Sequence, residues 1–177
     1  MEMPHQKKIL IHHMAGGGED SIKCLERLRF TKKVSDEIIN RLGRIEKPYA
    51  AVHIRNTDYQ TDYVRFFEDI APKVTGKKLL VCSDDHACIE YAKKYFEDSR
   101  VMTLSNIPDI GGKPLHSNKN LDRYKTNLDA LVDLVALSLS DELHVCHYDA
   151  GELSGYSSLA MNLHAQKELV WELLGTR

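Results

Sequence analysis

Short apolar runs alternate along the chain with longer stretches in which apolar residues recur every three or four positions. The short runs predict strands at 7–13, 49–54, 78–83, 101–104 and 142–146. The amphipathic spacing predicts helices at 20–28, 35–42, 63–70, 86–96, 128–139 and 157–174. Because strands and helices alternate without internal repeats, we expect a Rossmann-like α/β domain with a doubly wound parallel sheet and right-handed crossovers.

Polar residues and glycines mark where several of these elements begin and end. We expect Ser35 to cap the second predicted helix and Gly43 to end it, and we expect Asp85 to cap the fourth. N-capping would also explain one of the two serines, Ser157 and Ser158, that open the last helix. Segment 105–125 is rich in Pro, Gly, Asn and charged residues, which predicts a long loop.

The length of the chain, 177 residues, predicts one domain. We expect residues 1–47 to supply a strand, a glycine loop and a short helix that lead into a main domain at 48–177. Gly16-Gly17-Gly18 follows the first predicted strand, as in a phosphate-binding turn. Since neither Gly-x-Gly-x-x-Gly nor Gly-Lys-Ser/Thr is present, a flexible connection is the favoured interpretation.

Composition narrows the class of protein further. The chain is 42% hydrophobic, and its 24 basic and 26 acidic residues leave a net charge of −2, which argues against a broad nucleic-acid surface. No apolar run approaches the ~20 residues of a membrane helix, and the polar segment 1–8 does not resemble a signal peptide. The four cysteines form no Cys-x-x-Cys pair. We therefore expect a cytoplasmic protein with neither a membrane segment nor a nucleic-acid partner.

The densest polar cluster follows the strand at 49–54. His53, Arg55 and Asp58 stand at its exit, and ligands of open α/β sheets bind beyond the carboxyl ends of the strands. The planar donor fork of Arg55 suits a phosphate, and Asp58 can hold that guanidinium or read a hydroxyl group. The plain alternative is that Thr57 and Asp58 start a helix as capping residues.

Two aspartates follow the strand at 78–83. If Asp85 caps the next helix, the adjacent Asp84 is left to read a sugar or ribose hydroxyl. The pair could instead hold Mg²⁺ through phosphates. We favour capping plus hydrogen bonding, with no metal.

Two more pairs of polar residues lie on the later predicted helices. Asp129 and Asp133 are one turn apart, where they repel each other unless a partner holds them; a solvated helix face is the plain interpretation. Ser157 and Ser158 add hydroxyl groups to the free backbone N–H groups of a helix start, which favours an anion. Polar groups thus gather after four strands at one edge of the sheet, and this convergence indicates a nucleotide or a phosphorylated small molecule.

Four motifs, taken in order, resemble the fucosyltransferase superfamily that uses GDP-fucose. This group includes the α1,6-, α1,2- and protein O-fucosyltransferases and the rhizobial nodulation enzyme. Residues 53–58 (HIRNTD) resemble its first motif, His-x-Arg-Arg-x-Asp, and residues 79–85 (LLVCSDD) resemble the second. Asp133, with the Leu-Ser at 137–138 and the strand that follows, resembles the third motif. Residues 154–160 (SGYSSLA) resemble the closing phosphate loop.

The resemblance spans roughly residues 48–165 and implies metal-free, inverting transfer of fucose from GDP-fucose. It implies that Arg55 binds the β-phosphate and stabilises the leaving GDP, with Asp62 as the candidate general base. It also implies that Asp133 reads the guanine N–H groups and that His53 contacts the guanine through its backbone. The remaining implied donor-site residues order the pocket or hold phosphates: Asp58, Asp84, Asp85, Ser157 and Ser158.

Two departures from the family pattern accompany this resemblance. Asn56 stands where the motif has its second arginine, which removes one donor to the phosphates. The family has two Rossmann-like domains, the GT-B architecture, and this chain resembles only the C-terminal, donor-binding half. An N-terminal acceptor-binding domain or a partner chain is therefore an expected partner, besides the GDP-sugar. Two other functions fit the same residues: a nucleotide-sugar-binding module without transfer, and a Mg²⁺-dependent phosphoesterase that uses Asp84 and Asp85.

Overall fold

The computed structural model describes residues 16–58, 60–97, 100–114, 118, 120–148 and 151–176. Four strands lie in these ranges: β1 Tyr49–Ile54, β2 Lys78–Ser83, β3 Val101–Met102 and β4 Glu142–Val145. The helices there are α1 Glu19–Leu25, α2 Lys32–Leu42, α3 Tyr63–Ile70, α4 His86–Phe96, α5 Arg123–Leu139, α6 Gly155–His164 and α7 Lys167–Leu173. The strand predicted at 7–13 lies outside the described residues.

The strands form one parallel sheet in the order β3-β2-β1-β4. The chain builds outward from β1 through β2 to β3 and then crosses to β4, on the other side of β1. The strand order therefore reverses between β1 and β4, and a crevice at such a switch point is where open α/β sheets bind ligands. The prediction of a doubly wound, Rossmann-like α/β fold is confirmed.

Helices cover both faces of the sheet, which explains why its central strands are mostly apolar and are buried along nearly their whole length. Side chains alternate across a strand, so Ala51 of β1 belongs to the core that includes residues of α1, α2, α5, α6 and α7, whereas Val52 belongs to the core that includes residues of α3 and α4. In β2, Leu80 and Leu79 divide between the two faces in the same way. His53 follows Ala51 in this alternation and lies on the face covered by α5 and α6.

Two predicted helix starts were wrong, because both helices begin earlier in the chain than the sequence indicated. α2 begins at Lys32 after Thr31, so Ser35 lies buried inside the helix instead of capping it. The Gly43 prediction is confirmed at the C-cap of α2. α5 begins at Arg123, earlier than its apolar stripe indicated, because the side chain of Asp122 accepts a hydrogen bond from the Lys125 backbone N–H at 3.1 Å.

The last predicted helix is two helices, α6 and α7, with the break at Ala165 and Gln166. Both helices bury apolar side chains in one core, including Leu163 and Leu169. The apolar spacing therefore continues from α6 into α7 although the helix itself is interrupted. Ser154 caps α6 and accepts from the Ser157 backbone N–H at 2.9 Å. The prediction that this helix opens at Ser157, with Ser157 or Ser158 as its cap, was therefore wrong.

The glycines at 16–18 form a close helix contact. Gly17 has a positive φ of 96°, and a Cβ atom there would lie 2.0 Å from the backbone oxygen of Gly155. The side chain of Asn162 donates to the Gly17 carbonyl at 2.7 Å. This turn therefore packs the start of α1 against α6. The segment is closely packed, whereas a flexible connection was predicted.

No helix within the described ranges combines the length and the apolar character that a membrane span requires.

Candidate functional site

A pocket of about 140 Å³ opens at the carboxyl ends of β1 and β2, on the face covered by α5 and α6. Both strands, the segment after β3 and the two helices contribute to its wall. Its lining residues are His53, Arg55, Cys82, Ser83, Asp84, Asn106, Ile107, Pro108, Thr126, Asp129, Ala130, Asp133 and Tyr156. The position is the sheet edge at which the sequence predicted a ligand.

A group of residues at the edge of this pocket, which we call the rim, consists of Arg55, Asn56, Thr57, Asp58 and Asp84; of these, Arg55 and Asp84 line the pocket. Arg55 Nε lies 3.1 Å from Asp84 Oδ2, and the guanidinium also pairs with Asp58. Asp84 Oδ1 accepts from the Asn56 backbone N–H at 2.8 Å, and Asp84 Oδ2 also accepts from the Thr57 hydroxyl. The Arg55 side chain keeps 27% of its surface exposed. The rim therefore holds a cation in place while leaving part of it open to a ligand.

Asn56 fastens the loop after β1, which carries the rim residues Arg55, Thr57 and Asp58. Its Nδ2 donates to Asp85 Oδ2 at 2.7 Å. Its Oδ1 accepts from both the backbone N–H and the hydroxyl of Thr61, each at 3.0 Å. The residue that replaces the second arginine of the resembled motif thus joins the exit of β1 to the starts of α3 and α4.

The inner part of the pocket, which we call the floor, consists of His53, Cys82 and Asp133. His53 Nδ1 lies 2.8 Å from the hydroxyl of Ser157, and its ring lies 4.8 Å from the ring of Tyr156. Burial, reinforced by the nearby Arg55 charge, lowers the pKa of His53 to about 3. The imidazole is therefore neutral near pH 7, and it presents a polar but uncharged surface.

Asp133 is the buried carboxylate of the floor, and only 8% of the residue is exposed. Burial, assisted by the negative charge of Asp129, raises its pKa to about 7. The Ser105 hydroxyl donates to Asp133 Oδ1 at 2.7 Å and favours the ionised form. Cys82 forms a second side-chain hydrogen bond with this carboxylate. A carboxylate so placed exchanges its proton in the neutral range and can accept hydrogen bonds from a ligand once ionised.

The prediction of a solvated face at Asp129 and Asp133 was wrong. Both residues are buried, because Arg41 of α2 reaches across and pairs with Asp129. Arg41 also donates to Glu37 through Nε at 2.7 Å. A cation from a separate helix thus relieves the repulsion that the spacing on α5 alone would produce.

The structure brings five of the predicted site residues together. Arg55, Asp58 and Asp84 form the ion-paired rim, and His53 and Asp133 belong to the floor. The backbone carbonyl of His53 already accepts from the Cys146 N–H at 3.0 Å, as part of the sheet edge.

Asp62 and Asp85 have structural roles outside the pocket lining. Asp62 is the N-cap of α3, where Oδ1 accepts from the Arg65 N–H at 3.0 Å. The predicted capping role of Asp85 in α4 is confirmed, since its Oδ1 accepts from the Ala87 N–H at 3.0 Å. Thr57 and Asp58 do not start a helix, because α3 begins only after Asp62.

Neither predicted serine lines the pocket directly. Ser157 is fully buried behind His53, and its hydroxyl lies 2.8 Å from that of Ser154. Ser158 lies in the first turn of α6, where its backbone N–H bonds to the Ser154 carbonyl at 2.9 Å. Direct contact between Ser157 and a phosphate would require α6 to move.

Sequence reasoning missed four residues that shape the site: Arg41, Cys82, Ser105 and Tyr156. Cys82 was detectable, because it alternates with Leu80 on β2 and so shares a face with His53. Nothing in the local sequence marks Arg41 or Ser105, since their partners on α5 are distant in the chain. The hydroxyl of Tyr156 donates to the Ala130 carbonyl at 2.6 Å and links α6 to α5 at the pocket.

The oxygens of Asp84 are already engaged. They accept hydrogen bonds from Asn56 and Thr57 and pair with Arg55, so the local positive charge comes from a guanidinium. In the part of the chain that the structure describes, no group of three or more His, Cys, Asp or Glu side chains could hold a metal ion. In the described structure Asp84 therefore holds the rim together through hydrogen bonds and an ion pair.

No model of a known protein family matches this chain, and comparison with curated protein sequences finds no significant match.

Proposed function

We propose that this chain is the donor-binding domain of a fucosyltransferase-like glycosyltransferase. It binds GDP-fucose without a metal and supports inverting transfer of the sugar to an acceptor. One observation carries the proposal: a buried carboxylate, Asp133, and a partly exposed guanidinium, Arg55, line the same pocket, which opens at the carboxyl ends of β1 and β2. These groups complement the two ends of a guanosine diphosphate.

Asp133 supplies selectivity for the base. The edge of guanine presents two adjacent N–H donors, and an ionised carboxylate has the acceptor oxygens to take both. Adenine and uracil place an acceptor beside their donor, so either ring would direct a lone pair at the carboxylate. Because Asp133 is buried, an unmatched contact there costs more than it would in water.

Arg55 supplies the charge that the reaction needs. As the bond from fucose to the β-phosphate breaks, negative charge grows on the departing diphosphate, and a fixed guanidinium stabilises it. Asp84 holds the guanidinium at 3.1 Å, so little reorganisation is needed when the charge develops. Asp62 remains the candidate general base for the acceptor hydroxyl.

A second candidate function, nucleotide-sugar binding without transfer, is favoured by one observation. Asp62 caps α3 and is not part of the pocket lining, so the proposed base is separated from the floor and rim. A binding module would retain the base selectivity of Asp133 and the phosphate contact of Arg55 but would lack turnover.

The test is calorimetric titration of the chain with GDP, GDP-fucose, UDP and ADP in metal-free buffer. We expect selective binding of the two guanine ligands. Arg55→Met should weaken it about tenfold or more, the size of a lost charge-assisted hydrogen bond. Arg29→Met is the matched control, because Arg29 forms an exposed ion pair with Glu172, and neither residue lines the pocket.

The outcomes separate the candidate functions. Equal binding of UDP and ADP contradicts the proposal. Mg²⁺-dependent hydrolysis of a phosphoester that is abolished in Asp84→Asn would support the phosphoesterase instead. Selective guanine-nucleotide binding, with no fucose transfer when acceptors and an N-terminal fucosyltransferase half are supplied, would support the binding module.

A further inference from the structure

Arg41 of α2 forms a largely buried ion pair with Asp129 of α5. The side chains of Arg41 and Asp129 are only 14% and 9% exposed. Asp129 lines the pocket, whereas Arg41 lies behind the wall. Burying two charges carries a desolvation cost that their attraction often fails to recover. An ion pair in this position is therefore poorly explained by stability alone.

Arg41 is also linked to Asp133, through the segment that carries Leu104 and Ser105. Its Nη1 lies 3.5 Å from the Leu104 carbonyl, just before Ser105. The Ser105 hydroxyl in turn lies 2.7 Å from Asp133 Oδ1 and 3.0 Å from the Asp129 carbonyl. One guanidinium thus touches one pocket carboxylate directly and the segment that supports the other.

We propose that Arg41 is a positioning residue of the pocket, which neutralises Asp129 and fixes the segment at Ser105 so that Asp133 alone of these two carboxylates reads the N–H donors of the ligand. The inference rests on the proposed function and extends it, because it assigns a part of the nucleotide site to α2. Without Arg41, two carboxylates one turn apart would face the same small pocket.

The groups that face Asp133 from every side fix the direction of the expected effects. Asp129 raises its pKa from the same helix, and Arg41 lowers it from α2. Ser105 and Cys82 lower it through hydrogen bonds, while the other neighbouring groups are the neutral His53 of β1 and the phenol of Tyr156 on α6. Removal of Arg41 and removal of Asp129 should therefore shift the titration of Asp133 in opposite directions.

The test is a titration of the Asp133 side-chain carboxyl by ¹³C NMR in the ligand-free protein. We expect the midpoint to move to higher pH in Arg41→Met and to lower pH in Asp129→Asn. Arg41→Lys keeps a cation and should restore much of the wild-type midpoint. Arg29→Met removes an exposed arginine that pairs with Glu172 and does not line the pocket, so it should leave the midpoint unchanged.

Two outcomes overturn the inference: an Asp133 midpoint that is the same in Arg41→Met and wild type, or a shift of the same sign in Arg41→Met and Asp129→Asn. If Arg41→Met does not fold, Asp129→Asn still decides, because an unmoved or raised midpoint contradicts the inference. Since no ligand is present, failure here is distinguishable from failure of the proposed function, which the nucleotide titration reports separately.

Nucleotide affinity gives a second readout. Asp133, with a pKa of about 7, is close to half ionised at neutral pH. GDP affinity at pH 7 should rise by at most about twofold in Asp129→Asn, which completes that ionisation. It should fall in Arg41→Met and recover as the pH is raised. A uniform loss of affinity at every pH would indicate a merely structural role for Arg41.

Discussion

The rim and the floor of the pocket handle charge in opposite ways. At the rim, Arg55 pairs with Asp84 and Asp58, and the loop that carries them is closed by the hydrogen bonds of Asn56. At the floor, burial holds the pKa of Asp133 at about 7 and that of His53 at about 3. The charged groups of the rim are paired with one another, whereas the floor carries polar groups whose charged forms are disfavoured.

The difference separates residues that hold the site together from residues that await a ligand. A paired rim adds to the stability of the fold, since removing one member leaves the others unmatched. A floor whose buried groups are disfavoured in their charged forms lowers the stability of the fold. Proteins tolerate such a loss mainly where function requires it. Substitutions in the two regions should therefore change stability with opposite signs.

The largest expected effect is at the rim. Asp84→Ala removes the acceptor of Arg55, Asn56 and Thr57 together, and we expect the free energy of unfolding to fall by about 3 kcal/mol. Urea denaturation measures it. Asp36→Ala is the matched control, because its ion pair with Lys32 is exposed and should contribute less than about 0.5 kcal/mol. Equal losses in the two variants would remove the distinction between a structural rim and ordinary surface charge.

At the floor we expect a gain. Folding raises the pKa of Asp133 from 3.8 to about 7, so between these pH values the native state binds the proton more tightly than the unfolded chain does. The free energy of unfolding of the wild type therefore falls as pH rises through that window. Asp133→Asn carries no charge, so its advantage grows with pH and is complete above pH 7.

That gain should approach about 2 kcal/mol at pH 8, below the ceiling of about 4 kcal/mol that a shift of this size allows. Urea denaturation at pH 5 and pH 8 measures it, with wild type and variant side by side. The same variant should lose guanine-nucleotide binding. A variant that is less stable than the wild type at both pH values would contradict the account of the floor.

A smaller loss is expected where Asn56 closes the rim loop. Asn56→Ala deletes its side-chain hydrogen bonds to Asp85 and Thr61 but leaves the backbone bond to Asp84, so we expect a loss of about 1–2 kcal/mol. Asn40→Ala, an exposed position on α2, should change stability little. If Asn56→Ala matches that control, the loop is held by Arg55 and Asp84 alone.

Features set by neighbouring residues were predictable from the sequence. The strands at 49–54 and 78–83 are mostly apolar because both faces of the sheet are covered, and both were predicted at their observed bounds. The cap of α4 by Asp85 needs only contacts within the first turn of that helix, and it was predicted as well. The gathering of polar groups at one sheet edge followed from parallel topology, without knowledge of contacts.

Features set by distant contacts were not predictable. Asp129 and Asp133 resemble a solvated face until Arg41, 88 positions from Asp129, is placed against them. Ser157 resembles an anion ligand until the fold places His53, 104 positions away, within hydrogen-bonding distance of its hydroxyl group. Local spacing identifies such residues as polar, but tertiary packing decides whether they face a ligand or one another.

The most direct test of the central claim, that Asp133 reads the base of a guanine nucleotide, is proton release on binding. GDP-fucose is the best probe, because its diphosphate is esterified and has no proton to lose near neutrality. Calorimetry at pH 7 in buffers of different ionisation enthalpy counts the protons that binding releases. Asp133→Asn provides the matched control in the same buffers.

With its pKa at about 7, Asp133 is half protonated at that pH, so full ionisation in the complex should release about half a proton. In Asp133→Asn any residual binding should release none. GDP-fucose binding with a buffer-independent enthalpy in the wild type, or the same proton release from the asparagine variant, would contradict the assignment of Asp133 to the base.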